Sequence, residues 1–349
     1  MKKALMATLV VAGALAVAFA AGSAGAAPAQ KADTTLTGAG ATFPYPLISK
    51  WIPAVGSAHG ISVNYSPIGS GGGIAAITAR TVDFGASDAP LAPDQLDACK
   101  GCVVIPWALS AIAVAYNLPG LNCVLRLSPA AVSGIYLGDI TSWTDPRIKQ
   151  WNGTCNLPDE KITPVYRSDN SGSTYAFTDY LSNVNATWKS KFGTGVNAQW
   201  PAGVGARGSS GVAGVVTKTA GAVTYVDVAY TLQNKLRAAL ILNKAGKFAN
   251  AGLRGIQAAA AGLPAKITSP TQLKLVDPPK SAGPLAYPIS TFTYVIAPTG
   301  SGKAADLRKF IYWAVTQGQS YGKPLLFQPL PVQVQAYAYR EIKKIQSAA

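Results

Sequence analysis

The chain has 349 residues, of which 49% are hydrophobic and only 13% charged, and its 30 basic and 15 acidic side chains give a net charge of +15. This composition excludes a disordered chain, because enough apolar surface is available to offset the loss of chain entropy on folding. No more than two Lys or Arg residues are adjacent anywhere, which argues against a nucleic-acid-binding arm. One histidine and four cysteines supply too few ligands and bases for most metalloenzyme or Ser-His-Asp hydrolase sites.

The first predicted segment is a secretory signal peptide at residues 1–26. Lys2 and Lys3 form its positive start, residues 4–19 its apolar region, and Ala24-Gly25-Ala26 its small-residue cleavage signal. The alternative, a transmembrane anchor, needs about 20 apolar residues, whereas this run breaks into Gly, Ser and Ala. No cysteine follows the apolar region, so we expect an exported, soluble chain without a lipoprotein anchor.

The rest of the chain alternates short β-branched runs with helical patterns, which is typical of an α/β architecture. Strands are predicted at residues 61–65, 162–166, 223–228 and 291–296. Helices are predicted at residues 47–55, 74–80, 175–181 and 304–315, with a small helix within 249–265 and a loop over 267–288.

Three of the predicted helices are preceded by glycines and hydroxyl side chains. The three segments are Gly38-Ala39-Gly40-Ala41-Thr42-Phe43-Pro44, Ser70-Gly71-Gly72-Gly73 and Ser171-Gly172-Ser173-Thr174. We expect Thr42 to be the N-cap of the first helix and Pro53 to end or kink that helix. Each segment offers a hydroxyl and free backbone N–H groups at the positive end of a helix. One such start is ordinary capping, but three in one chain favour an oxyanion ligand.

Two charged residues follow predicted strands near these helix starts. Asp88 lies in a loop bounded by Ser and Pro, and Arg167 comes just before the third helix start. A guanidinium binds an oxyanion bidentately, and Asp169 could hold that guanidinium in place. An isolated Arg-x-Asp is usually a surface ion pair. This pair supports an oxyanion site only because a helix start follows it.

The four cysteines form an even set, which in an exported protein indicates disulfides. Cys99, Cys102, Cys123 and Cys155 allow three pairings, of which we prefer Cys99 with Cys102 and Cys123 with Cys155. The alternative is a redox or zinc site. The wide spacing of the second pair is not typical of a zinc site.

The segments described above resemble the phosphate-binding protein of the bacterial phosphate ABC importer, the PstS family. The similar stretches are residues 36–44, 68–91 and 166–180, with shorter matches at 136–140, 193–195, 200–201, 221–230 and 287–291. The resemblance covers nearly the whole mature chain and is weakest over residues 239–280. It implies an α/β, two-lobed periplasmic binding protein fold (type II) with the ligand in the cleft. Lobe 1 would comprise residues 33–110 and 289–349, and lobe 2 residues 111–288.

The resemblance also implies a function and a set of ligand contacts. The protein would capture inorganic phosphate in the periplasm and deliver it to the permease and ATPase of the importer. It would act as a monomer, without catalysis, cofactor, metal or nucleic acid. The implied contacts are Thr42, Phe43, Ser70, Asp88, Arg167, Ser171, Gly172 and Ser173, with Asp169 supporting Arg167. Many family members have threonine in place of Ser173, and the hydroxyl is retained here.

Asp88 is the residue expected to distinguish phosphate from sulfate. Phosphate at neutral pH carries at least one proton and sulfate carries none, so an ionised carboxylate accepts a hydrogen bond from phosphate and repels sulfate. The remaining contacts mostly donate and would suit either anion. A receptor for sulfate or another tetrahedral oxyanion is therefore the alternative within the same class.

Enzymatic alternatives find less support in the sequence. A secreted phosphatase using Ser171 would need a base, and we expect the single histidine, His59, to lie in a surface loop. Residues 297–304 resemble a phosphate-cradling loop, but Ala304 stands where a magnesium-binding Ser or Thr is required. We expect a turn with a Ser301 cap there.

Overall fold

The structure is a computed structural model that describes residues 34–348, so the predicted signal peptide at residues 1–26 lies outside the described residues. The strands are β1 (Thr34–Gly40), β2 (Ile61–Ser66), β3 (Phe84–Ser87), β4 (Cys102–Tyr116), β5 (Arg126–Leu127), β6 (Thr163–Arg167), β7 (Val204–Ala206), β8 (Ala222–Asp227), β9 (Arg237–Ala238), β10 (Leu240–Leu242), β11 (Phe248–Ala249), β12 (Ser290–Pro298), β13 (Gly300–Ser301) and β14 (Gln346–Ser347). The helices are α1 (Tyr45–His59), α2 (Ser70–Thr78), α3 (Pro93–Ala98), α4 (Pro129–Leu137), α5 (Pro146–Lys149), α6 (Gly172–Val184), α7 (Ala186–Lys191), α8 (Gly208–Lys218), α9 (Val228–Gln233), α10 (Leu253–Ala260), α11 (Ala304–Val315) and α12 (Val332–Ile342).

The largest sheet has the strand order β2-β1-β3-β12-β4-β8-β6-β7, with β9 also paired to β4. The long strand β4 pairs with β12 as far as Ala111 and with β8 from Ile112 onward, antiparallel in both cases. We call β2, β1, β3, β12 and the first part of β4 the first half-sheet, and the remainder the second half-sheet. Both half-sheets contain parallel strands, β1 with β2 and β3 in one and β6 with β7 and β8 in the other.

Strand β4 lies at the centre of the molecule because its sequence is apolar almost throughout. All 15 of its residues are buried, as expected for a strand covered on both faces. Trp107 of β4 and Trp51 of α1 pack edge to face, with 5.3 Å between ring centroids. The core therefore continues from the sheet into the helices beside it.

The four predicted strands correspond to β2, β6, β8 and β12, and the four main predicted helices to α1, α2, α6 and α11. Residues 267–288 contain only two short 3₁₀ turns, Pro270–Gln272 and Lys280–Ala282. Pro53 was expected to end or kink α1, and it does not end the helix, which continues to His59 and ends at Gly60 with a left-handed φ of 67°. Burial of Trp51 and Val55 on either side of the proline offsets the missing hydrogen bond.

The cysteines pair as the sequence analysis prefers, Cys99 with Cys102 and Cys123 with Cys155. Within residues 34–348, no helix is long and apolar enough to cross a membrane. The same residues contain no group of three or more His, Cys, Asp or Glu side chains that could hold a metal ion.

Candidate functional site

The residues implied as ligand contacts gather where strands end and helices begin. Thr42 follows β1, Asp88 follows β3, Arg167 is the last residue of β6, Ser70 opens α2 and Gly172 opens α6. Carboxyl ends of parallel strands are the usual location of ligands in α/β sheets. Thr42 is 7% exposed, and exposure is 2% or less for the side chains of Phe43, Ser70, Asp88, Arg167, Ser171 and Ser173.

The three predicted helix starts are used in different ways. Ser171 caps α6, with its Oγ accepting the hydrogen bond of the Thr174 amide at 3.2 Å. Ser70 lies inside the first turn of α2, whose N-cap is Gly69 with a φ of 93°. The expectation that Thr42 caps α1 was wrong: Pro44 holds the N-cap position, and Thr42 Oγ1 instead lies 2.7 Å from the hydroxyl of Ser209.

Arg167 is held rigidly in the site by Asp169. Its Nε and Nη2 donate to the two carboxylate oxygens at 2.7 and 2.5 Å, and its Nη1 donates to Ser209 Oγ at 3.2 Å. Burial raises the pKa of Asp169, but the hydrogen bonds from Arg167 outweigh it and hold the pKa below its ordinary value. These bonds leave one N–H free on each terminal guanidinium nitrogen. Arg167 is thus oriented, charged and still able to donate twice.

Asp88 is buried with an unpartnered oxygen. Its Oδ2 lies 3.4 Å from the Ser70 hydroxyl, whereas its Oδ1 has no hydrogen-bond partner. Burial, together with the nearby Asp227, raises the pKa of Asp88 to about 8. A pKa of about 8 leaves this carboxyl largely protonated at pH 7, whereas an ionised group was expected from the sequence. A buried carboxyl oxygen without a partner is costly unless a ligand satisfies it.

The two half-sheets meet across the site, so the cleft is closed. The Ser70 hydroxyl accepts the amide of Gly172 at 3.0 Å, and the hydroxyl of Tyr230 donates to the carbonyl of Thr42 at 2.8 Å. A Cβ at Gly172 would lie 2.5 Å from the Cβ of Asp88, so only glycine permits this approach. The polar groups of both halves are therefore within reach of one small ligand.

Sequence reasoning missed two site residues, Ser209 and Asp227. The Ser209 hydroxyl donates to Asp227 Oδ2 at 2.5 Å, and the Ser173 hydroxyl donates to Asp227 Oδ1 at 2.9 Å. Burial raises the pKa of Asp227 to about 6. Ser209 follows Gly208 at the start of α8, so it repeats the hydroxyl-and-glycine pattern of the other helix starts. This pattern in the sequence could have identified Ser209 as a candidate site residue.

Two cavities adjoin the site. The larger, about 610 Å³, is lined by Thr42 together with the exposed cations Lys50 and Arg207. The smaller, about 300 Å³, is lined by Asp88 and by side chains that include Tyr175, Asp179 and Lys274.

Other predicted features lie outside this network. His59 is exposed, as expected, but at the end of α1 rather than in a loop. In the segment 297–304, the Ser301 hydroxyl accepts the amide of Lys303, and the Lys303 ammonium lies 2.9 Å from the carboxylate of Asp83. That lysine is therefore engaged in an ion pair.

The chain is similar to one described protein family and to several named proteins. The model of the PBP superfamily domain matches residues 25–317. A phosphate-binding protein PstS from Xylella fastidiosa is 38% identical over 322 residues, covering 90% of this chain and 87% of that one. Its counterpart from Pasteurella multocida is 37% identical over 318 residues, covering 90% and 89%.

Solved structures share the fold. A high-affinity periplasmic phosphate-binding protein, PfluDING, bound with phosphate, has a TM-score of 0.70 at 20% identity, covering 88% of this chain and 93% of that one. A phosphate-binding protein from Stenotrophomonas maltophilia has a TM-score of 0.66 at 20% identity, with the same coverage. The two-lobed periplasmic binding protein fold expected from the sequence is confirmed.

Proposed function

Because the chain belongs to the PstS family of phosphate-binding proteins, we propose that it binds inorganic phosphate in its cleft for an ABC-type phosphate importer. The observation that best supports this function is that one closed, buried site holds both free hydrogen-bond donors and an unpartnered carboxyl oxygen. Arg167 keeps free N–H donors, and Asp88 keeps an unpartnered carboxyl oxygen. A partly protonated oxyanion satisfies both groups at once.

In this proposal both halves of the molecule contact phosphate. The contacts are Thr42, Phe43, Ser70 and Asp88 from the first half and Arg167, Ser171, Gly172 and Ser173 from the second. Arg167 would bind the anion bidentately, and the anion would lie at the positive end of α6, a 13-residue helix. Asp169 positions Arg167. The lobes would divide as expected, with residues 33–110 and 289–349 in one and 111–288 in the other, close to where β4 changes its partner.

Selectivity in this proposal depends on one proton shared between Asp88 and a phosphate oxygen. Either partner can bring that proton, because protonated Asp88 with dibasic phosphate gives the same complex as ionised Asp88 with monobasic phosphate. Sulfate brings no proton, so it fits only while Asp88 keeps its own. An ionised Asp88 would be an unpaired like charge beside sulfate in a dry site.

A binding role without catalysis fits the surroundings of Ser171. Its hydroxyl oxygen already accepts the Thr174 amide as the N-cap of α6, and the chain's one histidine, His59, is exposed at the end of α1. A phosphatase nucleophile requires an adjacent base. The proposed role also includes export to the periplasm and delivery of phosphate to a membrane permease with its ATPase.

Calorimetric titration of the exported protein, freed of bound phosphate, tests this function. We expect one phosphate to bind per chain and sulfate to bind much more weakly above the Asp88 pKa of about 8, where this carboxyl is ionised. Equal affinities would identify a general oxyanion receptor instead. Hydrolysis of a chromogenic phosphate ester above background would identify an enzyme.

A further inference from the structure

The Cys99–Cys102 disulfide closes a very short loop, with a sequence separation of 3. It joins the end of α3 to the first residue of β4. A disulfide stabilises a fold mainly by restricting the unfolded chain, and a short loop restricts it least. Cys123–Cys155, with a separation of 32, encloses a much longer segment. The shorter disulfide is therefore expected to add less stability than the longer one.

Arg80 contacts both sulfurs of the short disulfide. Its Nη1 lies 3.2 Å from Cys102 Sγ and 3.5 Å from Cys99 Sγ, and donates to the carbonyl of Ile77 at 2.7 Å. Its Nη2 donates to the carbonyls of Cys99 and Lys100 at 2.7 and 3.2 Å. The ion pairs of the described residues do not include Arg80. Its charge therefore faces the two sulfurs without a carboxylate to neutralise it.

A guanidinium in this position favours the reduced form of the cysteine pair. Reduction of a disulfide produces thiols, and a neighbouring arginine stabilises a thiolate much more than it stabilises a neutral disulfide sulfur. Both cysteines also belong to a buried apolar cluster with Ile74, Ile77 and Ile296. Apolar surroundings disfavour a thiolate. Arg80 supplies the charge that offsets this cost.

The Cys123–Cys155 disulfide provides a comparison within the same molecule. Among the described residues, no Lys or Arg nitrogen donates to either of its sulfurs, and the nearby Arg237 donates to the carbonyl of Cys123 instead. Its cysteines are half-buried, whereas Cys99 and Cys102 are only 1% and 9% exposed. Exposure alone would make Cys123–Cys155 easier to reduce. The guanidinium predicts the opposite order.

From these contacts we propose that Cys99–Cys102 is a thiol–disulfide exchange site for an external dithiol, with Arg80 stabilising the thiolate that forms. A thiolate of the dithiol attacks the sulfur of Cys102, the more exposed cysteine, and the bond between Cys102 and Cys99 breaks. Cys99 leaves as a thiolate beside the guanidinium. The second thiol of the reagent then displaces Cys102. The dithiol becomes a cyclic disulfide, and its two electrons and two protons pass to the cysteines.

The exchange site is separate from the proposed phosphate contacts. Ser70 opens α2, whereas Arg80 follows the other end of that helix, which closes at Thr78. Thiol exchange at Cys99–Cys102 can therefore be measured without reference to phosphate binding.

Equilibration of the folded parent protein in mixtures of reduced and oxidised dithiothreitol tests the inference. Acid quenching, alkylation and peptide mass spectrometry give the reduced fraction of each cysteine pair. We expect half-reduction of Cys99–Cys102 at a ratio of reduced to oxidised reagent about tenfold lower than Cys123–Cys155 requires. Circular dichroism should show the native fold at that point. Earlier or equal reduction of Cys123–Cys155 would overturn the inference, as would loss of the fold when Cys99–Cys102 is reduced.

The substitution Arg80→Gln separates the charge of this residue from its contacts with carbonyls. Loss of the charge should make Cys99–Cys102 harder to reduce, by about three- to tenfold in the same equilibrium. A merely structural role predicts the opposite sign, because loss of the carbonyl contacts would loosen the turn. Equal or easier reduction would therefore overturn the inference. The matched control is Arg237→Gln, which should leave the reduction of Cys99–Cys102 unchanged. The parent comparison gives an answer even if Arg80→Gln does not fold.

Discussion

Two cavities adjoin the buried site, one beside Thr42 and one beside Asp88, and they differ in charge. The cavity at Thr42 is lined by Lys50 and Arg207, and its described lining residues include no carboxylate. The cavity at Asp88 is lined by a second acid, Asp179, and one cation, Lys274. Within the site, Arg167 is linked through Ser209 to Thr42.

In the proposed function, this difference assigns attraction and discrimination to different sides of the ligand. On the Thr42 side, cations would draw any anion inward and Arg167 would hold it. On the Asp88 side, the anion would share a proton with a buried carboxyl group. Affinity and selectivity should therefore respond to different substitutions, and the following experiments test that separation.

The largest effect is expected for Arg167→Lys. Lysine restores the charge but not the fork that binds an oxyanion bidentately. Truncating a buried charged contact typically costs about 2–5 kcal/mol, and we expect phosphate affinity to fall tenfold or more. The melting temperature of the ligand-free protein should stay close to that of the parent. Calorimetry and thermal unfolding measure the two quantities.

The matched control for this variant is Arg147→Lys. Arg147 forms the same kind of bidentate pair with the carboxylate two residues before it, Asp145, but on the surface. Its substitution should leave phosphate affinity unchanged. If Arg167→Lys has no more effect than the control, the ligand lies elsewhere.

A smaller effect is expected from pH, and only on the Asp88 side. Burial raises the pKa of Asp88 to about 8. Sulfate needs the proton of this carboxyl, so its affinity is present below that pKa and is lost as pH rises through it. We expect sulfate affinity to fall by about tenfold per unit above pH 8. Phosphate supplies the shared proton itself and should weaken less. If competition assays show that the affinities for both anions fall equally as pH rises, the proposed role of Asp88 is contradicted.

The smallest effect on phosphate binding is expected for the two cations that line the cavity beside Thr42. Replacing Lys50 and Arg207 together by glutamine should slow phosphate association several-fold at low salt, with little change in dissociation. The effect should shrink as salt is added. Stopped-flow fluorescence provides the rates. The control is Lys274→Gln in the cavity beside Asp88. An equal slowing of association in that variant would contradict the proposed difference between the two cavities.

Local sequence patterns predicted much of this site. The Arg167–Asp169 pair was predictable because its members are two residues apart, and the Ser171 cap because capping is a local interaction. The helix-start and loop patterns singled out Thr42, Ser70 and Asp88, and the family resemblance supplied their expected roles as ligand contacts.

Contacts between distant parts of the chain could not be predicted in the same way. Thr42 does not cap α1, because its hydroxyl meets Ser209, 167 residues away. The link from Ser173 to Asp227 spans 54 residues. The raised pKa of Asp88 also depends on folding, since burial and Asp227 produce it. No local pattern encodes which side chains the closed cleft brings together.

The most direct test of the central claim is Asp88→Asn. Sulfate and unlabelled phosphate are each competed against labelled phosphate for parent and variant at the same salt and at one pH above the Asp88 pKa of about 8, where the parent carboxyl is ionised. Asparagine replaces an acceptor by a group that can donate, so we expect the ratio of phosphate to sulfate affinity to narrow by at least tenfold. A variant that excludes sulfate as well as the parent does would contradict the assignment of selectivity to Asp88.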